Sequence, residues 1–150
     1  MRIVIQRVSE ASVKIDGKVH GSISKGFMVL LGIEQEDDKA DADYLIGKLI
    51  GMRVFPDDEG KMNLSVVDSN GDFLVISQFT LYASTKKGNR PGFTQAARPE
   101  QAIPLYEYFL QKLASDSGRR VEAGIFGAEM KVALVNDGPV TIIMDSKNKE

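Results

Sequence analysis

Three polar side chains interrupt an apolar run within residues 77–83, which read SQFTLYA. The hydroxyl of Ser77 or Thr80 is a potential nucleophile for an ester, and the amide of Gln78 can donate a hydrogen bond. Neither hydroxyl has a histidine near it in the sequence to serve as a base. The segment therefore favours catalysis by positioning and by backbone N–H groups that stabilise an oxyanion, which suits an ester that is already reactive. The alternative interpretation is a polar rim where a strand leaves the core.

A second candidate segment spans residues 136–141, which read NDGPVT. Asn, Asp and Gly form turns readily, so this segment predicts a turn between two strands. Only about 5–6% of X–Pro bonds in folded proteins are cis, and the pattern alone therefore favours a trans bond between Gly138 and Pro139. A third segment, residues 126–132 (FGAEMKV), predicts a glycine turn that leads into a strand.

The counts of cysteine and histidine exclude much of enzyme chemistry. The 150 residues contain no cysteine and one histidine. Disulfides, thiolate nucleophiles, Cys-ligated zinc and iron–sulfur clusters are excluded, and a multi-histidine metal site within one chain is impossible. A Ser-His-Asp triad would have to use His20, which follows a predicted hairpin turn and is expected to be an exposed strand residue.

The charge is distributed unevenly along the chain. The formal net charge is −2, which argues against non-specific binding of nucleic acid by the whole surface. Residues 73–99 nevertheless contain no acidic residue, and their basic residues are Lys86, Lys87, Arg90 and Arg98. A basic loop on an acidic protein predicts a local contact with phosphate groups. The alternative is a solvated loop without a ligand.

The strands that would position these segments follow from alternation and turn signals. Residues 2–8 predict a strand, and Asp16-Gly17 predicts the turn of a hairpin over residues 11–20. Further strands are predicted over residues 27–33, 73–81, 130–135 and 140–144. A long loop is expected over residues 83–99, and loops of this length are often functional.

Two helices complete the predicted fold. The first begins near Asp37 or Asp38, and the second spans residues 100–117 and stops at Gly118. The fold class is α/β, with mixed, strand-rich layered sheets and the two main helices packed on one side. One domain is expected over residues 1–150. No apolar run approaches the ~18 residues of a membrane span, and the first residues read as a strand, so no membrane partner and a cytoplasmic location are expected.

Four segments together resemble the bacterial D-aminoacyl-tRNA deacylase family. They read MRIVIQRVSEASVKIDG, SQFTLYA, KKGNRPGFTQAA and FGAEMKVALVNDGPVTI, and the similarity extends from Met1 to about Asp145. SQFTLYA and NDGPVT, in this order and about sixty residues apart, are the specific features. The resemblance implies a β/β/α fold in a homodimer with the active site at the subunit interface. It also implies hydrolysis of the ester that joins a D-amino acid, or glycine, to the terminal ribose of tRNA.

The resemblance implies a role for each site residue. The catalytic residues that it implies line the cleft from one subunit, and they are Ser77, Gln78, Phe79 and Thr80. The main-chain groups of Phe79 and Thr80 would bind the oxyanion. Gly138 and Pro139 enter from the other subunit with a cis bond that rejects L-amino acids, and Arg7 supports their loop. Phe126 and Met130 lie near the substrate end of the tRNA. Four basic residues contact its phosphates: Lys86, Lys87, Arg90 and Arg98. No cofactor and no metal are expected.

Two other functions remain open on the residues alone. The first is an RNA-binding module without catalysis, although 7% aromatic residues and no Trp make a poor stacking platform. The second is a Ser/Thr hydrolase that acts on small esters without tRNA. Within the deacylase interpretation, a covalent role for the Thr80 hydroxyl competes with the backbone mechanism.

Overall fold

The computed structural model describes residues 1–149, and its elements follow one another from an N-terminal strand to a C-terminal strand. In chain order they are β1 (Arg2–Ile15), β2 (Lys18–Ile23), β3 (Gly26–Gly32), α1 (Lys39–Gly51), β4 (Phe55–Pro56), β5 (Met62–Leu64), β6 (Asp72–Ser77), a short 3-10 helix (Phe79–Tyr82), α2 (Pro99–Ser117), β7 (Val121–Ala123) and β8 (Lys131–Asp145). Among these residues, no helix combines the length and apolar character needed to cross a membrane.

Strand β1 organises the main sheet. It pairs antiparallel with β2, β3 and β8, and the sheet continues through the parallel pairs β3–β6 and β6–β7. The sequence predicted a strand over residues 2–8 and a separate hairpin arm from residue 11, but β1 is continuous, because its two halves share β8 as a neighbour. The hairpin turn itself is confirmed, since Asp16 and Gly17 both have positive φ, as a two-residue turn requires.

Two apolar clusters show how the layers stack. One joins alternate residues of β3 and β6, such as Phe27 and Phe73, to the buried faces of α1 and α2. The other joins the intervening residues, such as Met28 and Leu74, to the second half of β1 and to β2 and β8. Strands β3 and β6 are therefore buried on both faces, one under helices and the other under strands. The predicted mixed α/β class with helices on one side is confirmed.

Helix α1 begins where the sequence predicted, and α2 spans the predicted residues to within one. Asp38 caps α1 and forms a capping box with Asp41, whose carboxylate accepts a 2.9 Å hydrogen bond from the Asp38 N–H. Helix α2 has Pro99 in its first turn and ends at Gly118, which adopts the left-handed conformation.

The strand predicted over residues 73–81 is too long. Strand β6 ends at Ser77, because its pairing with β3 ends there, at Leu31, and its pairing with β7 ends earlier, at Val75. The chain then turns into the 3-10 helix over Phe79–Tyr82. An extended strand over these residues would place Gln78 and Thr80 on one face, and this alternation does not apply in the 3-10 helix.

The turn predicted between strands 130–135 and 140–144 is also wrong. Both halves belong to β8 and pair with β1, with Val8 opposite Asn136 and Gln6 opposite Thr141. Two steps along β1 thus correspond to five along β8, and the extra residues form a bulge instead of reversing the chain. The Asn136 side chain spans this bulge, since its Oδ1 accepts a 2.9 Å hydrogen bond from the Val140 N–H.

A buried ionic cluster joins the first residue to α1 and to the end of β8. The α-ammonium group of Met1 pairs with Asp37 and donates a 2.8 Å hydrogen bond to Ser146 Oγ. Lys147 Nζ lies 2.9 Å from Asp41 Oδ2. Burial raises the pKa of Asp41, but hydrogen bonds from the Asp38 N–H, Ser146 and Lys147 outweigh it and lower the pKa to about 2.

Candidate active site

The 3-10 helix after β6 presents two backbone donors at its beginning. The Gln78 N–H donates a 2.8 Å hydrogen bond to the Leu31 carbonyl, which ties the turn to β3. Inside the turn the Leu81 N–H donates to the Gln78 carbonyl at 3.3 Å. The N–H groups of Phe79 and Thr80 precede this bond and have no partner within the turn. Two adjacent N–H groups at the positive end of a helical turn form an arrangement that can bind a negatively charged oxygen.

A groove of about 270 Å³ lies beside this turn. It is lined by Ile76, Ser77, Gln78, Phe79, Phe126, Gly127, Ala128, Met130 and Val132. The structure thus brings together Ser77, Gln78 and Phe79 with Phe126 and Met130, all of which the sequence marked as site residues. None of the lining side chains is titratable near neutral pH, so the groove offers hydroxyl, amide and backbone groups but no general base.

The side chains of the turn contact each other and not a base. Gln78 Nε2 donates a 2.5 Å hydrogen bond to Thr80 Oγ1. His20 lies on β2, where it is exposed as predicted. A hydroxyl without a base is a weak nucleophile. The geometry therefore favours catalysis by the backbone N–H donors over nucleophilic attack by the Thr80 hydroxyl.

The far wall of the groove is held by aromatic packing. The rings of Phe126 and Tyr106 lie 5.9 Å apart between centroids, at an interplanar angle of 58°. Tyr106 belongs to α2 and is buried, and burial raises the pKa of its hydroxyl to about 12. Phe126 is therefore fixed against the helical layer, and Met130 lies immediately before β8.

Arg7 holds the bulge that carries Gly138 and Pro139. Arg7 Nε donates a 2.8 Å hydrogen bond to the Asp137 carbonyl, and its Nη1 donates a 2.6 Å hydrogen bond to the Val54 carbonyl. The Gly138–Pro139 peptide bond is cis, and Gly138 has a φ of 147°. A Cβ at Gly138 would lie 2.8 Å from Val140 Cγ2 and 3.1 Å from Arg7 Nη2, so only glycine fits between them.

Gly138 and Pro139 do not reach the groove of their own chain. The bulge lies opposite Arg7, which pairs with Phe27, whereas Ser77 pairs with Leu31. Val132 is the residue of β8 that lines the groove, and it pairs with Val13, six residues or about 20 Å along β1 from Arg7. Within one chain, the two groups of predicted site residues are therefore separate.

The basic residues of the long loop divide between two places. Residues 84–92 form a finger closed by two hydrogen bonds between Ser84 and Gly92, of 2.8 and 2.9 Å. Its basic residues, Lys86, Lys87 and Arg90, are exposed, and they form no ion pair within residues 1–149. Arg98 lies outside the finger, as the exposed N-cap residue of α2.

The sequence analysis missed two residues that hold the turn. Phe93 packs edge-to-face on Phe79, with ring centroids 5.0 Å apart, and so joins the base of the finger to the turn. Arg2 donates a hydrogen bond from Nη1 to the Leu81 carbonyl at 2.8 Å. An aromatic residue within a basic loop was a usable signal for Phe93, but nothing in the local sequence of Arg2 points to a segment about eighty residues away.

The strand-rich α/β fold of this chain is also seen in solved structures. One, a c-Myc DNA unwinding element binding protein, superposes with a TM-score of 0.90 at 41% identity, over 97% of this chain and 98% of the other. Another, described as a probable eukaryotic D-amino acid tRNA deacylase, superposes with a TM-score of 0.80 at 18% identity, over 96% and 98% of the two chains. The second likeness concerns the fold alone.

The sequence comparisons identify the family. The family model described as D-Tyr-tRNA(Tyr) deacylase matches residues 4–145. D-aminoacyl-tRNA deacylases of Phocaeicola vulgatus and Flavobacterium johnsoniae are 59% and 57% identical to this chain over 150 residues, the full length of each. The chain belongs to the D-aminoacyl-tRNA deacylase family. The family resemblance and the hydrolase class predicted from the sequence are confirmed.

Proposed function

We propose that this chain hydrolyses the ester of D-aminoacyl-tRNA and releases the free D-amino acid and tRNA. The observation that carries the proposal is the family match over residues 4–145, which includes both the turn after β6 and the bulge of β8. An uncharged groove with two free backbone donors suits this substrate, since an aminoacyl ester is reactive enough to need no strong base from the protein. The reaction also removes D-amino acids from translation and recycles the tRNA.

The Phe79 and Thr80 N–H groups stabilise the reaction's developing charge. When the ester carbonyl is attacked, its oxygen becomes an oxyanion, and these two donors bind it. One donor of this kind is typically worth about 2.7–4 kcal/mol of transition-state stabilisation. The terminal ribose of the tRNA brings its own 2′-hydroxyl to the site, which accounts for a site without histidine or cysteine.

A second copy of the chain completes the groove. At about 270 Å³ the groove is smaller than the roughly 300–1,000 Å³ of sites that enclose a small ligand. Large apolar side chains are exposed both beside the groove, at Phe79 and Ile125, and on either side of the bulge, at Val135 and Ile143. Strand β8 pairs only with β1 among residues 1–149. Covering these side chains in a homodimer would bring the bulge of one subunit to the groove of the other.

The bulge selects the configuration of the amino acid. The Asp137 carbonyl is occupied by Arg7, which leaves the Gly138 carbonyl to accept a hydrogen bond from the ammonium group of the substrate. With the ammonium group fixed there, the backbone of Gly138 and Pro139 leaves room for hydrogen on the L side but for no methyl or larger group. Glycine has no side chain to exclude, so glycyl-tRNA is also a substrate.

The basic residues hold the acceptor end of the tRNA. Lys86, Lys87 and Arg90 project from the finger, and the finger is attached to the turn through Phe93. Arg98 adds a positive charge at the beginning of α2. Phosphate contacts at these residues supply affinity without sequence selectivity.

One assay separates this function from its alternatives. The protein is incubated with D-Tyr-tRNA, L-Tyr-tRNA and a small D-tyrosine ester, and the release of free tyrosine is followed. Hydrolysis of D-Tyr-tRNA alone is expected. Cleavage of the small ester at a comparable rate indicates a general esterase, whereas binding of tRNA without any hydrolysis indicates an RNA-binding module.

The shared site is tested by mixing two inactive variants. Phe79→Pro removes a backbone donor from the turn, and Gly138→Ala disturbs the bulge, so each variant alone is expected to be inactive. A mixed dimer has one site built from two intact segments, and dissociating and reassociating the two variants together is expected to restore activity. No recovery in mixtures that demonstrably exchange subunits would contradict a site shared between chains.

A further inference from the structure

The guanidinium group of Arg2 lies at the end of the 3-10 helix and joins it to two other parts of the molecule. Its Nη1 donates a 2.8 Å hydrogen bond to the Leu81 carbonyl. Its Nε and Nη2 lie 3.0 and 2.9 Å from Asp145 Oδ2, at the end of β8. Its Cζ lies 4.9 Å from the centroid of the Tyr82 ring. One side chain thus contacts the last two residues of the turn and anchors them to the sheet.

A single 3-10 turn needs such external contacts. Four residues form too few internal hydrogen bonds to be stable alone. The beginning of the turn is held by the bond from the Gln78 N–H to Leu31, and its underside rests on Gly32, where a Cβ would lie 3.1 Å from Leu81 Cβ. Arg2 supplies the corresponding contact at the end of the turn.

The charge of Arg2 suits this position. The carbonyls at the end of a helical turn carry partial negative charge, and a cation placed there is stabilising. A guanidinium–carbonyl bond is also stronger than a neutral one, and the planar fork lets one group bind the carbonyl and the Asp145 carboxylate together. Lysine has a single point charge and cannot reproduce both contacts in the same geometry.

We propose that Arg2 is a positioning residue for the deacylation reaction, holding the Phe79 and Thr80 N–H groups in line by fixing the Leu81 carbonyl and the Tyr82 ring. This inference rests on the proposed function. Arg2 is not among the residues that line the groove, and neither are the two residues of the turn that it contacts, Leu81 and Tyr82. Its loss would let the turn rotate about its anchored beginning, so that the two donors no longer point at one oxygen.

Kinetics of Arg2 variants test this role. For Arg2→Met, kcat on D-Tyr-tRNA is expected to fall about tenfold or more with little change in KM, because the oxyanion forms only in the transition state. Asp145→Asn keeps the bond to the Leu81 carbonyl and is expected to have an intermediate effect. Arg2→Lys is expected to recover part of kcat. The matched control is Arg120→Met, another arginine paired with carboxylates, which is expected to leave kcat unchanged.

Amide hydrogen exchange tests the contact without relying on activity. In Arg2→Met, exchange of the hydrogen-bonded amides of residues 81–83 is expected to accelerate, while the strands keep the protection of the parent protein. Unchanged exchange in this segment, or a kcat within about twofold of the parent in folded Arg2→Met and Arg2→Lys, would overturn the proposal. Failure of the parent protein to cleave D-Tyr-tRNA would instead reject the proposed function, and the exchange result would still decide whether Arg2 holds the turn.

Discussion

Arg7 Nε donates a 2.8 Å hydrogen bond to the Asp137 carbonyl, so that a side chain in the middle of β1 fixes the bulge of β8. The same guanidinium group reaches the Val54 carbonyl through Nη1 at 2.6 Å. Arg7 therefore anchors the backbone of the bulge to the segment that contains Val54.

Removing this contact is expected to reduce activity and stability together. Hydrogen bonds to a charged group contribute about 1.5–3 kcal/mol each, and less where solvent reaches them, so the loss of both bonds in Arg7→Ala is expected to lower the free energy of unfolding by about 2–4 kcal/mol. The rate on D-Tyr-tRNA is expected to fall by about tenfold or more, because the bulge loses its fixed position. Urea denaturation and initial rates measure the two effects. Arg7→Ala with the parent's rate would show that the bulge does not need this support.

The contrast between backbone and side chain in the turn gives a second prediction. Phe79→Pro removes one N–H at the first position of the 3-10 helix, where proline is tolerated, and the rate is expected to fall by about 100-fold or more. Phe79→Ala loses the same ring but keeps the N–H, and it serves as the matched control. Thr80→Ala loses an exposed hydroxyl and its hydrogen bond from Gln78 but keeps the backbone N–H, and it is expected to retain substantial activity. A mass adduct of the amino acid on Thr80 would instead establish a covalent mechanism.

The sequence allowed much of this fold to be predicted where local patterns decide the structure. The cap at Asp38, the stop at Gly118 and the turn at Asp16-Gly17 depend on neighbouring residues, and all three are confirmed. The end of β6 and the continuity of β8 depend on where the neighbouring strands stop, and residues such as Gln78 and Asn136 carry no local sign of it.

The residues of the site divide in the same way. The groove brings Ser77 together with Phe126 and Met130, while their roles in catalysis and substrate binding stay predictions. An aromatic residue within the basic loop marks Phe93 as a candidate, but its partner, Phe79, depends on tertiary packing between different segments. The contact of Arg2 with Leu81 depends on such packing too and has no local signal. The roles of Gly138 and Pro139 in catalysis stay predictions, because one chain places them away from its own groove.

The basic finger gives a third prediction, which concerns salt. If Lys86, Lys87 and Arg90 contact phosphates, the logarithm of tRNA affinity falls with the logarithm of salt concentration by about 0.7–0.9 per contact. The triple variant to Gln is expected to bind tRNA more weakly and to show a flatter slope, and Arg98→Gln a smaller change in the same direction. Lys61→Gln, at an exposed pair with Glu59, is the control. A triple variant with the parent's slope would contradict the assignment.

The ionic cluster near α1 gives a fourth prediction, which concerns acid. The pKa of Asp41 in the folded protein is lowered to about 2 from an ordinary value of 3.8. The ionised carboxylate therefore stabilises the fold fully at pH values above its ordinary pKa. That stabilisation is lost as the pH falls towards about 2. Between about pH 4 and about pH 2 the free energy of unfolding falls in both proteins. The fall in Asp41→Asn is expected to be about 1 kcal/mol smaller than that in the parent. Equal losses in urea titrations would rule out this role, and Glu129→Gln, at an exposed pair with Lys131, is the control.

The selection of configuration tests the account most directly. One tRNA is charged in parallel with D-alanine, L-alanine and glycine, so that the substrates differ only in the position or presence of one methyl group. Initial hydrolysis rates are then measured at equal enzyme and substrate concentrations. The account predicts rapid release of D-alanine and glycine and a rate for L-alanyl-tRNA close to that without enzyme. Comparable enzymatic hydrolysis of the D- and L-alanyl esters would contradict it.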